Sequence, residues 1–128
     1  MRFIVFLTGA AGYSTIEYLF RGYTHWSMAL TGGACLLTFY YYLEENKEAP
    51  ILAKAVVGAS IITVFEFFVG LLVNVWYQWD VWDYSRQPGN IMGQICPKYS
   101  FAWFMICVIV LIISSSLYSL YRVFRHGT

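Results

Sequence analysis

Apolar residues in this chain run in long unbroken stretches, and polar residues collect in the gaps between them. Four stretches, residues 3–20, 26–43, 55–77 and 101–121, each come close to the roughly 20 residues that an α-helix of 1.5 Å rise needs to cross a hydrocarbon core. Continuous runs, rather than period-two alternation, argue against the strands of a membrane barrel. The pattern therefore predicts an all-α, polytopic membrane protein: one membrane domain over residues 1–128 with four transmembrane helices. The connections differ in kind. "RGYTH" (21–25) has the length of a tight turn, and "EENKEAPILAK" is a charged loop with Pro50 near the next helix start. Residues 78–100 form a long, aromatic-rich connection.

Composition agrees with the pattern. The chain is 59% hydrophobic and 12% charged, with a mean hydropathy of +0.58, whereas a soluble domain carries about 25% charged residues. The lipid bilayer is thus the first expected partner, and the expected location is the cell membrane. A net charge of +1 without clustered Lys and Arg argues against a nucleic-acid footprint. Arg122 and Arg125 read as a membrane-surface anchor. Arg2, Lys47, Lys54, Arg122 and Arg125 fall on one side of the expected spans and Arg21, Arg86 and Lys98 on the other, a mild bias toward both termini in the cytoplasm. That bias is small enough to leave dual insertion of an antiparallel dimer open. The N-terminal stretch has some features of a signal peptide, but the apolar character resumes after Glu17, and a retained span is preferred. Cys35, Cys96 and Cys107 are too scattered for a disulfide framework or a zinc site. No Walker A, GxSxG or HExxH motif occurs, so no ATPase or familiar hydrolase is expected, and no metal or cofactor.

The sharpest chemistry is Glu66, in the middle of the third span, where a carboxylate facing lipid costs about 2.5–3.5 kcal/mol on insertion scales. At 100° per residue Ala59, Thr63, Gly70 and Asn74 share its face, so that face must look into a bundle, a dimer interface or a cavity. The bland alternative is a carboxyl used as hydrogen-bonding glue between helices. Glu17 stands four residues before Arg21, the favourable order for a helical ion pair, with Ala10, Tyr13 and Ser14 on its face. His25 reads as an interfacial turn residue, and Gly32, Gly33 and Ala34 as a packing seam. "TIEYLFRG" (15–22) and "TVFEFFVG" (63–70) faintly echo each other, which fits two copies of a two-helix unit.

The long connection contains "WDVWDYSRQPGNIMGQICP" (79–97). Its tryptophans and tyrosines belong at headgroup level. Asp80, Asp83, Ser85, Asn90 and Gln94 are not needed for that. Pro88-Gly89 marks a turn, and "NIMGQIC" is apolar enough to fold back before Pro97. A re-entrant or surface-packed element is preferred over a free loop, one that could carry Asp83 and Asn90 toward Glu66 or Glu17.

These same residues carry a resemblance. "RGYTHWSMALTGGACLL", "EFFVGLLVN" and "VWDYSRQPGNIMGQICPKYSFAW" resemble the family of small bacterial membrane proteins known as putative ABC-transporter permeases, or putative ABC-transporter type IV. The matching positions are Glu17, Arg21, Gly22, Glu66, Gly70, Trp82, Asp83, Tyr84, Ser85, Asn90, Gly93 and Gln94. The resemblance implies a transport role and, because the chain has no nucleotide-binding part, a separate ATPase subunit. A small permease that oligomerises, with a dimer favoured, is the leading expectation. Its substrate- or ion-binding candidates are Glu66, Glu17, Asp83, Asn90, Asn74, Thr63, Arg21, Tyr84, Ser85 and Gln94. Two alternatives stay open. One is a structural or regulatory membrane protein. The other is an intramembrane enzyme on lipid-borne substrate, with Asp83 and Glu66 as acid and base and Arg86 on a phosphate.

Overall fold

The computed structural model describes residues 2–22 and 25–126; Tyr23 and Thr24, at the centre of the expected tight turn, lie outside them. Among the described residues there are four α-helices and no strands: α1 (Arg2–Arg21), α2 (Trp26–Glu45), α3 (Ile51–Gly70) and α4 (Pro97–His126). Beyond Gly70 the third helix continues as a π-helical segment, Leu71–Trp76.

The helix ends follow local chemistry. His25 caps α2, its Nδ1 accepting from the Ser27 backbone N–H at 3.2 Å. Pro50 immediately precedes α3, where its fixed φ and missing N–H cost nothing. The third helix consequently starts at Ile51 rather than at residue 55: "ILAK" forms its first turn, and the Lys54 ammonium folds back to the Lys47 carbonyl at 3.0 Å. Pro97 serves as the first residue of α4, a position it is suited to, so this helix starts four residues earlier than residue 101 and runs past 121 to His126.

Small residues set the packing. A methyl group added to Gly32 would collide with Tyr13 and with the Gly9 carbonyl, and one on Gly33 would enter the Phe6 ring, so α1 and α2 lie in close backbone contact. A Cβ at Gly58 would come within 2.9 Å of the Cys107 sulfur and 3.0 Å of the Phe39 ring, which brings α2, α3 and α4 together at one level. Farther along, Thr63 and Ser100 hydroxyls hydrogen-bond at 2.9 Å between α3 and α4. Among the described residues, α1 and α4 make no such close backbone approach. They are neighbours only through side chains.

Polarity is distributed inside out. Glu17, Ser27, Thr31, Glu66 and Gln94 are buried, while Leu19, Phe68, Ile109 and Leu117 are among many large apolar side chains facing outward. A water-soluble domain does not expose that much contiguous apolar surface, and a lipid-facing one does. Two helices, Ile51–Trp76 and Pro97–Arg125, are long and apolar enough to cross a membrane. The apolar character of α1 and α2 is diluted by glycine, serine, threonine and tyrosine, and in α1 by Glu17 and Arg21.

Candidate functional site

Glu66 sits on α3 with 2% of its surface exposed. Its Oε1 accepts the Tyr13 hydroxyl from α1 and the Trp103 indole N–H from α4, the latter at 3.1 Å. The two rings stack on each other, with centroids 5.0 Å apart and planes 16° from parallel. Two helices whose backbones do not approach each other are thus tied to one carboxyl oxygen.

Next to this tie the helices part and leave a cleft. Its mouth, about 160 Å³, is bordered by Glu17 and Arg21 of α1, by Tyr99 of α4 and by Tyr84 of the long connection. Glu17, 6% exposed, forms the expected ion pair with Arg21, and the guanidinium also donates to the Val81 carbonyl at 3.3 Å. Tyr84 and Tyr99 stack at 4.7 Å. Burial pushes the Tyr84 phenol above its ordinary value, so it remains an O–H donor near neutrality. A second, almost wholly apolar hollow of about 240 Å³ lies beside the mouth, reaches Thr8 on α1 and Val110 on α4, and is floored by α2 and α3. Ile16, Trp103 and Ile106 border both compartments.

The long connection is a folded plug over the end of α3. Val81, Trp82, Gln94 and Cys96 are buried. Asn74, on the π-helical segment, organises it: its Oδ1 accepts from the Val81 N–H at 2.7 Å, and its Nδ2 donates to Gln94 Oε1 at 2.8 Å. The Trp82 indole donates to the Gln94 carbonyl at 2.9 Å. Gly70 is what lets the plug seat, because a Cβ there would strike Gln94 Oε1 and the Trp82 ring. Gly70→Ala is expected to cost about 1–3 kcal/mol by overpacking. Amide exchange within 79–96 is the readout, and unchanged protection would show that the plug does not seat on this glycine. Gln78, Asp80 and Met92 hold positive φ of 53–55°, which non-glycine residues adopt only where the surroundings enforce it.

Asp83 and Asn90 do not reach Glu66 or Glu17. Asp83 is exposed, and its carboxylate caps the plug's own turn, accepting from the Ser85 N–H at 2.9 Å. Asn90 ties the same turn together, donating to the Ser85 and Gln87 carbonyls and accepting from the Gly93 N–H. Both residues therefore serve the fold of the plug, as Asx-type side chains commonly do in turns. The Ser85 N–H bond holds the Asp83 carboxyl below its ordinary value of 3.8. A lowered value means that the turn gains from the carboxylate above that value, and loses the gain as pH falls through the folded value. The Ser85 amide shift, followed by NMR in micelles, is expected to titrate with a midpoint below 3.8; a midpoint at or above it would mean the cap is absent.

The expected candidates therefore divide. Glu17, Arg21 and Tyr84 line the mouth, and Glu66 lies at the tie. Thr63 joins α3 to α4, while Asn74, Asp83, Ser85, Asn90 and Gln94 build the plug. Tyr13, Trp103 and Tyr99 were not among the candidates. Tyr13 carried a usable signal, its i, i+4 spacing to Glu17, whereas Trp103 lies in an apolar run that nothing distinguishes. Among the described residues no cluster of His, Cys, Asp and Glu could hold a metal ion, and the three cysteines are buried and unpaired.

Comparison with known families matches residues 28–125 to the family described as Putative ABC-transporter type IV, and the chain belongs to it. The matched stretch takes in α2, α3, the plug and α4 as far as Arg125, and it begins after Glu17, Arg21 and Gly22. No solved structure matches the chain.

Proposed function

We propose that this member of the type IV family is the membrane-embedded component of a transporter, that it crosses the bilayer four times, and that Glu66 is its working group. The observation that carries the reading is the shared oxygen: Tyr13 and Trp103, on helices whose backbones stay apart, both donate to Glu66 Oε1. A group that holds two helices through a single atom is a latch. Protonation or cation binding changes what that oxygen can accept, and this alters the hold on α1 and α4 and the width of the cleft between them. The Glu17–Arg21 pair, at the mouth of the same cleft, stands where a polar cargo would first meet the protein. Because no nucleotide-binding motif occurs, ATP-driven work would come from a separate subunit. Two copies would enclose a path more fully than one chain of this size.

A structural reading has its own support, since the same two hydrogen bonds serve equally as permanent glue between helices. The two readings separate on one experiment. In a cysteine-free background, Ile16→Cys places a thiol on the cleft wall, and its reaction with a membrane-impermeant maleimide is followed across pH in vesicles. Rates are normalised to a cysteine at exposed Thr15. The latch predicts a pH-dependent rate that becomes flat in Glu66→Gln. A flat profile with Glu66 in place would remove the switch and leave the glue.

A further inference from the structure

The cleft between α1 and α4 has a shape that the latch alone does not require. It is charged and phenolic at one end and almost wholly apolar along the rest. Its charged end lies at the level of a membrane surface: His25, Trp26, Tyr77 and Trp79 form a chain of ring contacts at the same end of the bundle, and such belts mark the interface. From Arg21 to Thr8 the α1 wall runs 13 residues, about 20 Å at 1.5 Å per residue, somewhat more than half of a hydrocarbon core about 30 Å thick. The apolar part of that wall, from Ile16 to Thr8, is 8 residues or about 12 Å, a depth that takes part of one acyl chain below a charged mouth at the surface.

One glycine on the wall points the same way. Gly9, Gly32, Gly33 and Gly58 are each required by a neighbour inside the chain, but a Cβ on Gly12 would meet nothing within 4 Å. Gly12 stands in the middle of α1, where glycine costs about 1 kcal/mol relative to alanine, and internal packing does not explain it. It borders the trough and keeps it wide. The head end has a specific charge pattern as well. Glu17 and Arg21 line the mouth together, so it presents one negative and one positive group side by side, with the stacked Tyr84 and Tyr99 rings also on its border.

From this geometry we infer that the cleft binds one bilayer phospholipid with a zwitterionic headgroup, its phosphate toward Arg21, its ammonium toward Glu17 and an acyl chain in the trough past Gly12. A headgroup with both charges matches the paired mouth, whereas a purely anionic one meets Glu17. The inference names the cargo class for the transport reading and rests on that reading only for the step from binding to movement.

Binding is tested without transport. The full chain, purified in detergent, is incubated with phosphatidylethanolamine or phosphatidylglycerol of equal chain length and examined by native mass spectrometry. The expected result is one retained phosphatidylethanolamine per chain, held about tenfold more tightly than phosphatidylglycerol, the scale of one charge-assisted contact. Gly12→Leu fills the trough while improving helix propensity, so it is expected to fold at least as well as wild type and to lose the retained lipid. The double variant Glu17→Gln with Arg21→Gln is expected to keep a lipid and lose the preference between headgroups. Equal retention of the two lipids by wild type, unchanged retention in Gly12→Leu, or a protein dimer that Gly12→Leu dissolves would overturn the inference. The last result would mean that a second copy fills the cleft. None of these outcomes depends on the pH profile that tests the latch, so binding and switching fail separately.

Discussion

Glu66→Leu is expected to be the most damaging single change within the bundle that leaves side-chain size nearly unaltered. It removes the acceptor of both the Tyr13 hydroxyl and the Trp103 indole. Each buried donor left unmade costs about 1–3 kcal/mol, whereas interhelical hydrogen bonds in membranes average only about 0.6 kcal/mol when the freed group finds another partner. The larger figure applies here, because Tyr13 and Trp103 are 6% and 8% exposed and are stacked on each other, so the freed donors are held in place away from water. Glu66→Gln supplies an amide oxygen at the same place and is expected to stay within about 1 kcal/mol of wild type. Reversible unfolding in mixed micelles gives the comparison. A Leu variant as stable as the Gln variant would mean that the carboxyl oxygen does not hold the two helices.

The second large effect belongs to the plug. Trp82 is 3% exposed, packs in the same core as Val73 and Val81, and donates its indole N–H to the Gln94 carbonyl. Trp82→Ala is expected to cost about 3–5 kcal/mol, the range for a buried aromatic truncated to alanine. Trp82→Phe keeps most of the burial and loses the hydrogen bond, a difference of about 1 kcal/mol. Protease nicking within 77–96 should rise sharply in the alanine variant and slightly in the phenylalanine one. Equal resistance in all three proteins would show that the segment is held by something other than this side chain.

How much of this was legible beforehand depended on the kind of signal. Helices announce themselves through unbroken apolar runs, and the count of four follows from the sequence with ends displaced by a few residues, because helices run on past the apolar stretch into the turns that Pro50 and Pro97 begin. The special face of the third helix was also readable, since the 3.6-residue period places Ala59, Glu66 and Gly70 together, and all three are buried. Period alone could not show that the helix widens into a π-helical segment at Leu71, nor that Gly70 and Asn74 both meet Gln94 Oε1 of the plug. Asp83 and Asn90 illustrate a different limit. An aspartate that caps a turn and an aspartate that binds a ligand are the same residue in the same kind of context, and only the Ser85 N–H at 2.9 Å decides between them. Tyr13 and Trp103 were hidden for a third reason: in a chain that is 20% aromatic, no single ring stands out until the fold brings two of them to one oxygen.

In the reading proposed above, Glu66 holds α1 and α4 together and thereby sets the width of the cleft. The distance between spin labels at Thr15 on α1 and Met105 on α4, both exposed, measures that width directly, with Cys35, Cys96 and Cys107 replaced by alanine and the protein in lipid nanodiscs. A single narrow distance is expected with Glu66 in place and a longer, broader distribution in Glu66→Leu. Superimposable distributions for the two proteins would contradict that reading.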